Sequence, residues 1–213
     1  MSQIVPALLV KSEKEFETNL RVVENDCTLI QVDVLDGTLF PNTSWYDPRA
    51  IGTLKMTVQI EGHFMVENPI PIIETFQKHV PTFTCAIVSA EMHRPLGAIV
   101  GHIKDILGLK VGVAITPETP LHEIEEVIHL IDQLTIMSVH PGFQGQTFQS
   151  DIFEKITQAR NHRPDLTIEV DGGVTDELVQ PLLDAGVTNI CVGSLIFRSP
   201  NPADKLKQLN TLL

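Results

Sequence analysis

Residues 167–194 read TIEVDGGVTDELVQPLLDAGVTNICVGS, and they carry a complete strand–helix–strand pattern. The β-branched, apolar run from Thr167 to Asp171 predicts a strand. The stretch from Thr175 to Ala185 predicts a helix that Gly186 closes, and the run from Asn189 to Val192 predicts the next strand. Two strands joined by one helix in this way are expected to lie parallel, with a right-handed crossover between them.

The same alternation continues through the rest of the chain. The other predicted strands are Ile4–Val10, Thr28–Leu35, Thr57–His63, Phe83–Ser89, Lys110–Ile115 and Gln133–Val139. The other predicted helices include Ser12–Asp26, Pro120–Leu130, Ser150–His162 and Ala203–Leu213. In the first of these helices Ser12 is the expected N-cap, because a glutamate follows it three residues later.

Eight strand–helix units in strict alternation predict an α/β fold, a (β/α)8 TIM barrel in which residues 1–213 form one compact domain. The chain has 213 residues, fewer than the ~250 typical of this fold, so short loops are expected. The structural alternative is an open doubly wound sheet, which often has a glycine-rich turn after its first strand. That alternative is disfavoured, because Leu9-Val10-Lys11-Ser12 follows the first strand.

Composition excludes several classes of partner. With 15 Lys and Arg against 27 Asp and Glu, the formal net charge is −12, and only 5% of residues are aromatic. Nucleic acid and anionic membrane are therefore not expected partners, whereas a small phosphorylated ligand needs only local donors. No signal peptide and no apolar run of the ~20 residues needed to cross a bilayer are visible, so a cytoplasmic location is expected.

Polar residues at the ends of the predicted strands point to the site. In a barrel the active face lies at the carboxyl ends of the strands. Strand alternation turns Ile30, Val32 and Val34 of the second strand toward the helices, and Gln31 and Asp33 into the barrel. A carboxylate there is costly without a partner, although a buried Asp that caps a loop would also explain it.

Two further residues extend this constellation. His63 ends the neighbouring third strand, where Asp33 would make it a credible half of a metal site. Asp171 ends the seventh strand, so it could approach a bound ligand from the side opposite to Asp33. Such a pair suits removal of a proton on one face and its return on the other, the chemistry of epimerisation beside a carbonyl. Glycoside hydrolysis is less favoured, because no cluster of sugar-stacking aromatic residues accompanies the pair.

Glycines in three loops indicate a phosphate site. Glycine lets the backbone approach an anion closely, and the loops after strands seven and eight are the usual phosphate cradle of this fold. These loops contain Gly172-Gly173 and Gly193-Ser194, and the loop after strand six reads His140-Pro141-Gly142-Phe143-Gln144-Gly145-Gln146.

The motifs together resemble the ribulose-phosphate 3-epimerase family. Residues 137–146, MSVHPGFQGQ, are the most specific, and residues 32–37, VDVLDG, with Phe40-Pro41-Asn42 resemble the second-strand motif of the family. Residues 62–66, GHFMV, and residues 169–174, EVDGGV, match two further motifs. The similarity runs in order from Pro6 to Phe197.

The resemblance implies a barrel enzyme that interconverts ribulose 5-phosphate and xylulose 5-phosphate. It implies that Asp33 and Asp171 act as acid and base through a cis-enediolate, and that Met65 and Met137 shield this intermediate. It further implies a divalent metal (Zn, Fe, Mn or Mg) on Asp33, His63 and Asp171, and a homo-oligomer, a dimer or a hexamer. The substrate and its phosphate would contact His63, Gly142, Phe143, Gln144, Gly145, Gly172, Gly173, Gly193 and Ser194.

Several positions depart from the family pattern. Gln31 stands where the family has its other metal-binding histidine, and a glutamine oxygen is a weaker and harder ligand than imidazole. Ala7 replaces a substrate-contacting Ser, Leu35 replaces a Met, and Gln144 replaces a Gly of the phosphate loop. The departures leave a second function open, a non-catalytic phosphosugar-binding paralogue that has lost the usual metal site. A sugar-phosphate decarboxylase is disfavoured, because the stretch from Asp33 to Asp36 lacks the Lys of a D-x-K-x-x-D motif.

Overall fold

The predicted eight-stranded parallel barrel is confirmed. A computed structural model describes residues 2–213, and in it each strand pairs in parallel with the next while the eighth pairs with the first, which closes the barrel. In chain order the strands are β1 (Gln3–Leu8), β2 (Leu29–Val34), β3 (Gln59–Phe64), β4 (Phe83–Ser89), β5 (Lys110–Ile115), β6 (Gln133–Met137), β7 (Thr167–Asp171) and β8 (Asn189–Val192).

Helices cover the outside of the barrel. They are α1 (Glu13–Val23), α2 (Pro48–Thr53), α3 (Ile70–His79), α4 (Leu96–Gly101), α5 (Ile152–His162), α6 (Asp176–Asp184), α7 (Ser194–Phe197) and α8 (Pro202–Asn210). A π-helical turn, His102–Ile106, continues α4. Ser12 caps α1 as predicted, since its hydroxyl accepts from the Glu15 backbone N–H at 3.2 Å.

The predicted helix Pro120–Leu130 is wrong. The segment forms a 3₁₀ turn at Leu121–Ile124, followed by further turns, so the alternation of strands and α-helices is broken after β5. Its apolar side chains, including Ile124 and Ile128, are buried as an amphipathic helix would bury them. Like charges at Glu123 and Glu126 and the β-branched residues Ile124, Val127 and Ile128 weaken an α-helix here. The tighter turn still places the apolar side chains on the barrel.

The two faces of each strand have different environments, as alternation requires. Ile30, Val32 and Val34 of β2 lie in the apolar layer between strands and helices. Gln31 and Asp33 of the same strand are buried inside the barrel. None of the helices formed by residues 2–213 combines the length and the apolar character that a membrane span requires.

Candidate active site

Strand register brings the predicted polar residues to one end of the barrel. Asp33 on β2 pairs with His63 on β3, and Asp171 ends β7 beside Met137 of β6. Gln31 lies one inward position below Asp33 on β2. Because all these strands are parallel, their carboxyl ends share one face of the barrel, which is the face that a TIM barrel uses for catalysis.

The two aspartates converge on one point inside the barrel. The side-chain Nε2 of Gln31 donates to Asp33 Oδ1 at 2.7 Å and to Asp171 Oδ2 at 2.9 Å. His63 Nδ1 lies 3.6 and 3.5 Å from the same two oxygens, which is the range of an ion pair rather than of a short hydrogen bond. The aspartates keep 6% and 9% of their surface exposed, so they alone of the four reach the cavity above.

Burial and mutual contact set the protonation of this centre. Burial raises the pKa of Asp33 and the charge of Asp171 adds to the rise, while contacts with His63 and Gln31 oppose it. Burial alone would lower the pKa of His63, but its contacts with the two aspartates outweigh burial and raise the pKa to about 10. His63 is therefore a cation at neutral pH when no metal ion is bound.

A second polar layer lies directly beneath the centre. Gln133 Nε2 donates to Glu61 Oε2 at 3.2 Å, and the Thr135 hydroxyl donates to Glu169 Oε1 at 2.9 Å. Burial raises the pKa of Glu61 to about 7 and that of Glu169 well above its ordinary value. Burial therefore favours the neutral form of both acids, which lowers the cost of burying them.

A small cavity opens above the aspartates. Its volume is about 50 Å³, enough for only a few water molecules. Met65 and Met137 line its floor beside Asp33 and Asp171. The remaining predicted contacts also line it, whereas Gln31 and His63 lie below it; these lining residues are Gly142, Phe143, Gln144, Gly145, Gly172, Gly173, Gly193 and Ser194.

The paired glycines serve the packing of a neighbouring loop. Gly173 has φ +61°, and a Cβ there would lie 2.7 Å from the backbone N of Phe148 in the β6–α5 loop. A Cβ at Gly172 would lie 2.3 Å from a methyl of Val139. At Gly193, by contrast, a Cβ would meet the Gln144 side-chain Nε2 at 2.7 Å, so that amide covers the backbone of the predicted phosphate cradle.

Three hydroxyl or amide side chains position the site without having been predicted as site residues. The Ser44 hydroxyl donates to the carbonyl of Asp33 at 2.6 Å, and the Ser138 hydroxyl donates to that of Asp171 at 3.1 Å. Gln146 Nε2 donates to the His140 carbonyl at 2.6 Å, which folds the β6–α5 loop back on itself. Ser138 and Gln146 belong to the motif MSVHPGFQGQ of residues 137–146, whereas no motif in the sequence places Ser44 beside Asp33.

The donor set fits a divalent metal ion. Asp33, His63 and Asp171 each offer a ligand atom, and these atoms lie within 4.8 Å of one another. His63 Nδ1 is buried and has no hydrogen-bond partner, so this nitrogen can bind a cation once it has lost its proton. Two carboxylates and one imidazole suit zinc, iron(II) or manganese.

Comparison with known proteins identifies the family. A model of the Ribulose-phosphate 3 epimerase family matches residues 3–197. The chain belongs to this family. A chloroplastic ribulose-5-phosphate-3-epimerase of Arabidopsis thaliana is 32% identical to it, over 96% of this chain and 74% of the plant protein. The ribulose-phosphate 3-epimerase of Aquifex aeolicus is 30% identical over 90% of this chain and 87% of that protein.

Membership confirms the predicted enzyme class, an epimerase acting on carbohydrates. Solved structures of other enzymes share the fold alone. A 3-hexulose-6-phosphate synthase superposes with a TM-score of 0.74 at 16% identity, over the whole of both chains. The structure of KGPDC from Streptococcus mutans has a TM-score of 0.77 at 12% identity, covering 100% of this chain and 97% of that one.

Proposed function

We propose that this epimerase interconverts ribulose 5-phosphate and xylulose 5-phosphate, and that Asp33 and Asp171 transfer the proton at C3. One observation carries the proposal. The side-chain oxygens of the two aspartates, from strands on different sides of the ring, converge on one buried point and face the same cavity. A substrate carbon above that point would have one carboxyl group on each face.

The proposed reaction moves one proton in and one proton out. Asp33, as a carboxylate, takes the C3 proton of one epimer, and the electron pair of the C–H bond passes to the adjacent carbonyl to give a cis-enediolate. Asp171, as a carboxylic acid, then delivers its proton to the opposite face of C3. The two residues exchange roles in the reverse direction, and the raised pKa of Asp33 brings it closer to the pH at which a general base works best.

A bound divalent metal ion would be held by Asp33, His63 and Asp171. It would supply positive charge that stabilises the negative charge developing on the oxygens of the enediolate. Met65 and Met137 are 3% and 5% exposed and line the cavity floor, so their apolar side chains would exclude water from the intermediate.

The phosphate group would lie against the backbone at Gly193-Ser194 and Gly172-Gly173, under the β6–α5 loop. The Gln144 amide covers Gly193, so this side chain would shift when a phosphate binds there. The alternative of a non-catalytic paralogue is not favoured, because both aspartates keep the arrangement that proton transfer needs. The predicted cytoplasmic location and the predicted dimer or hexamer stay predictions.

Conversion of substrate tests the proposal directly. Purified protein is incubated with ribulose 5-phosphate and, separately, with a ketohexose 6-phosphate, with and without added Mn²⁺, and products are followed by ¹³C NMR. We expect xylulose 5-phosphate from the pentulose at a rate at least tenfold above that for the hexulose. Preference for the hexulose would correct the substrate, and no epimerisation of either compound under any metal condition would overturn the proposal.

A further inference from the structure

Gln31 lies where its side chain contacts both aspartates. It is fully buried, and both hydrogens of its Nε2 are used, one by Asp33 Oδ1 and one by Asp171 Oδ2. The amide nitrogen therefore lies between the two carboxylate oxygens. His63 Nδ1 faces the same two oxygens from β3. Any cation that bridges the aspartates must compete with the Gln31 amide for these oxygens.

Two buried atoms of this centre have no hydrogen-bond partner. Gln31 Oε1 accepts no hydrogen bond, and His63 Nδ1 makes none. Buried polar atoms are almost always paired, and an unpaired one is costly. The centre has two carboxylates and an unpaired amide oxygen, and their oxygens offer more acceptor positions than the surrounding side chains satisfy. This excess of acceptors is the property that a metal ion would neutralise.

Rotation of the amide changes what Gln31 offers. The oxygen and nitrogen ends of a glutamine amide have nearly the same shape, and the torsion that exchanges them is soft and roughly two-fold. After the exchange Oε1 would face the carboxylate oxygens. That orientation is repulsive without a cation and becomes a ligand set when a cation is present. Amide rotation and metal binding are therefore coupled, and each favours the other.

We propose that Gln31 is a two-position ligand: its Nε2 bridges Asp33 and Asp171 in the metal-free protein, and its Oε1 ligates the divalent cation in the metal-bound protein. The inference deepens the proposed function, on which it rests for the metal's role. Metal-free protein then keeps both carboxylates in place. Compared with a site that has histidine at position 31, the metal affinity is reduced, because two charge-assisted hydrogen bonds must break before the metal binds. The preference among metals moves toward hard ions, because the neutral oxygen of Gln31 replaces an imidazole nitrogen.

Mn²⁺ binding to four proteins tests the inference. Chelator-treated wild type, Gln31→Leu, Gln31→Glu and Gln133→Leu are titrated with Mn²⁺, and free Mn²⁺ is measured by electron paramagnetic resonance. We expect Gln31→Leu to weaken binding by about tenfold or more, since a ligand is lost, and Gln31→Glu to bind at least as tightly as wild type, since an oxygen ligand is kept. Gln133→Leu is the matched control, a buried inward glutamine in the layer beneath, and should bind as wild type does.

The opposite sign would overturn the inference. If Gln31 only competes with the metal, Gln31→Leu binds Mn²⁺ as tightly as wild type or more tightly. Absence of Mn²⁺ binding to wild type overturns it as well. Thermal unfolding of each metal-free variant identifies any that fails to fold. If a Gln31 variant does not fold, a measurement on wild type takes the place of its Mn²⁺ titration. The side-chain amide signal of Gln31 in ¹H–¹⁵N spectra should shift when Mg²⁺ is added, and no shift would contradict the inference.

These readouts use the metal alone. Failure of the substrate assay with intact Mn²⁺ binding would therefore count against the proposed function only. Normal epimerisation together with tighter Mn²⁺ binding by Gln31→Leu would count against the Gln31 inference only.

Discussion

Gln31 and Asp33 lie two residues apart on β2 and share a buried face, but their hydrogen-bonding needs are met to different extents. The carboxylate of Asp33 needs donors, and the Gln31 amide is one of them at 2.7 Å. Gln31 in turn leaves its own oxygen unpaired. Natural proteins tolerate such incomplete networks mainly at functional sites, and here the network lies directly under the cavity.

Asp171→Asn removes the proposed acid while keeping the shape of the side chain. We expect kcat to fall by roughly 10²–10⁴-fold, the usual contribution of a positioned acid or base, while KM changes little. Steady-state kinetics with ribulose 5-phosphate measures both. Asp36→Asn is the matched control, because Asp36 is exposed and its side chain accepts from the Thr38 backbone N–H at 2.9 Å, and this variant should keep wild-type kinetics. Equal losses in the two variants would contradict the assignment.

Gln144 lies where the substrate phosphate is proposed to bind. Its amide Nε2 covers Gly193, so a phosphate must displace it. We expect Gln144→Gly to tighten binding of inorganic phosphate by roughly threefold to tenfold, because the side chain no longer has to be moved and reordered. Calorimetry measures the affinity. Thr147→Gly, in the same loop but outside the cavity lining, should leave it unchanged; weaker binding by Gln144→Gly would make the amide a phosphate ligand instead.

At the scale of elements, the β6–α5 loop depends on a glycine from the next loop. Gly173→Ala would push a Cβ to 2.7 Å from the backbone N of Phe148 at a positive φ. We expect a loss of roughly 1–3 kcal/mol in the free energy of unfolding, together with weaker phosphate binding. Denaturant unfolding and calorimetry measure the two effects.

Gly108→Ala is the matched control for Gly173→Ala. Gly108 also has a positive φ, +66°, but no atom lies within 4 Å of an added Cβ. It should lose only about 1 kcal/mol of stability and keep its phosphate affinity. If the two variants behave alike, backbone conformation rather than loop packing explains the requirement at Gly173.

Elements were predictable from the sequence wherever one strong pattern acted alone. The alternation of side chains along β2 predicts that Gln31 and Asp33 lie inside the barrel. The expectation that β2 and β3 are parallel neighbours predicts that His63 lies beside Asp33, and the two residues do pair across these strands. The segment Pro120–Leu130 was not predictable in the same way, because its apolar positions fit both an α-helix and a succession of tighter turns. Its hydrogen-bond pattern is set by packing on the barrel, which overrides weak local preference.

Contacts between loops were beyond prediction for a different reason. The bond from Ser44 to the Asp33 carbonyl joins a loop to a strand end through an irregular turn that has no period to read. The amide of Gln144 over Gly193 likewise joins residues 144 and 193, far apart in the chain. Strand periodicity predicts the residues proposed to perform the chemistry, whereas the residues that position them are brought together only by the packing of loops.

At the scale of the whole molecule, the three cysteines should be inert in the native state. Cys85 and Cys191 are buried, and partial burial together with Asp26 and Glu24 raises the pKa of Cys27 to about 12. We expect no thiol of the native protein to react with Ellman's reagent at pH 8 faster than about a hundredth of the rate of free cysteine. Three thiols should react in denaturant. A fast-reacting thiol in native protein would show that the half-buried Cys27 is more accessible than its environment indicates.

The net charge of −12 bears on how an anionic substrate is held. The cavity brings together backbone of three loops, the two aspartates and no Lys or Arg among its lining residues. Attraction for a phosphate would therefore come from oriented N–H groups, from a bound metal ion and from the Arg198 guanidinium, whose Nη1 lies 2.7 Å from a Cβ built at Gly145, rather than from a basic cavity lining. The acids at the bottom of the cavity are proposed as the reagents of the reaction.

Exchange of the C3 hydrogen with solvent tests the two-aspartate account most directly. Ribulose 5-phosphate is incubated in D₂O with wild type, Asp33→Asn or Asp171→Asn, and deuterium at C3 of substrate and product is measured by NMR. Wild type should place deuterium at C3 of xylulose 5-phosphate, and each variant should form that product at less than about a hundredth of the wild-type rate. Epimerisation without solvent deuterium at C3, or wild-type rates in both variants, would contradict the account.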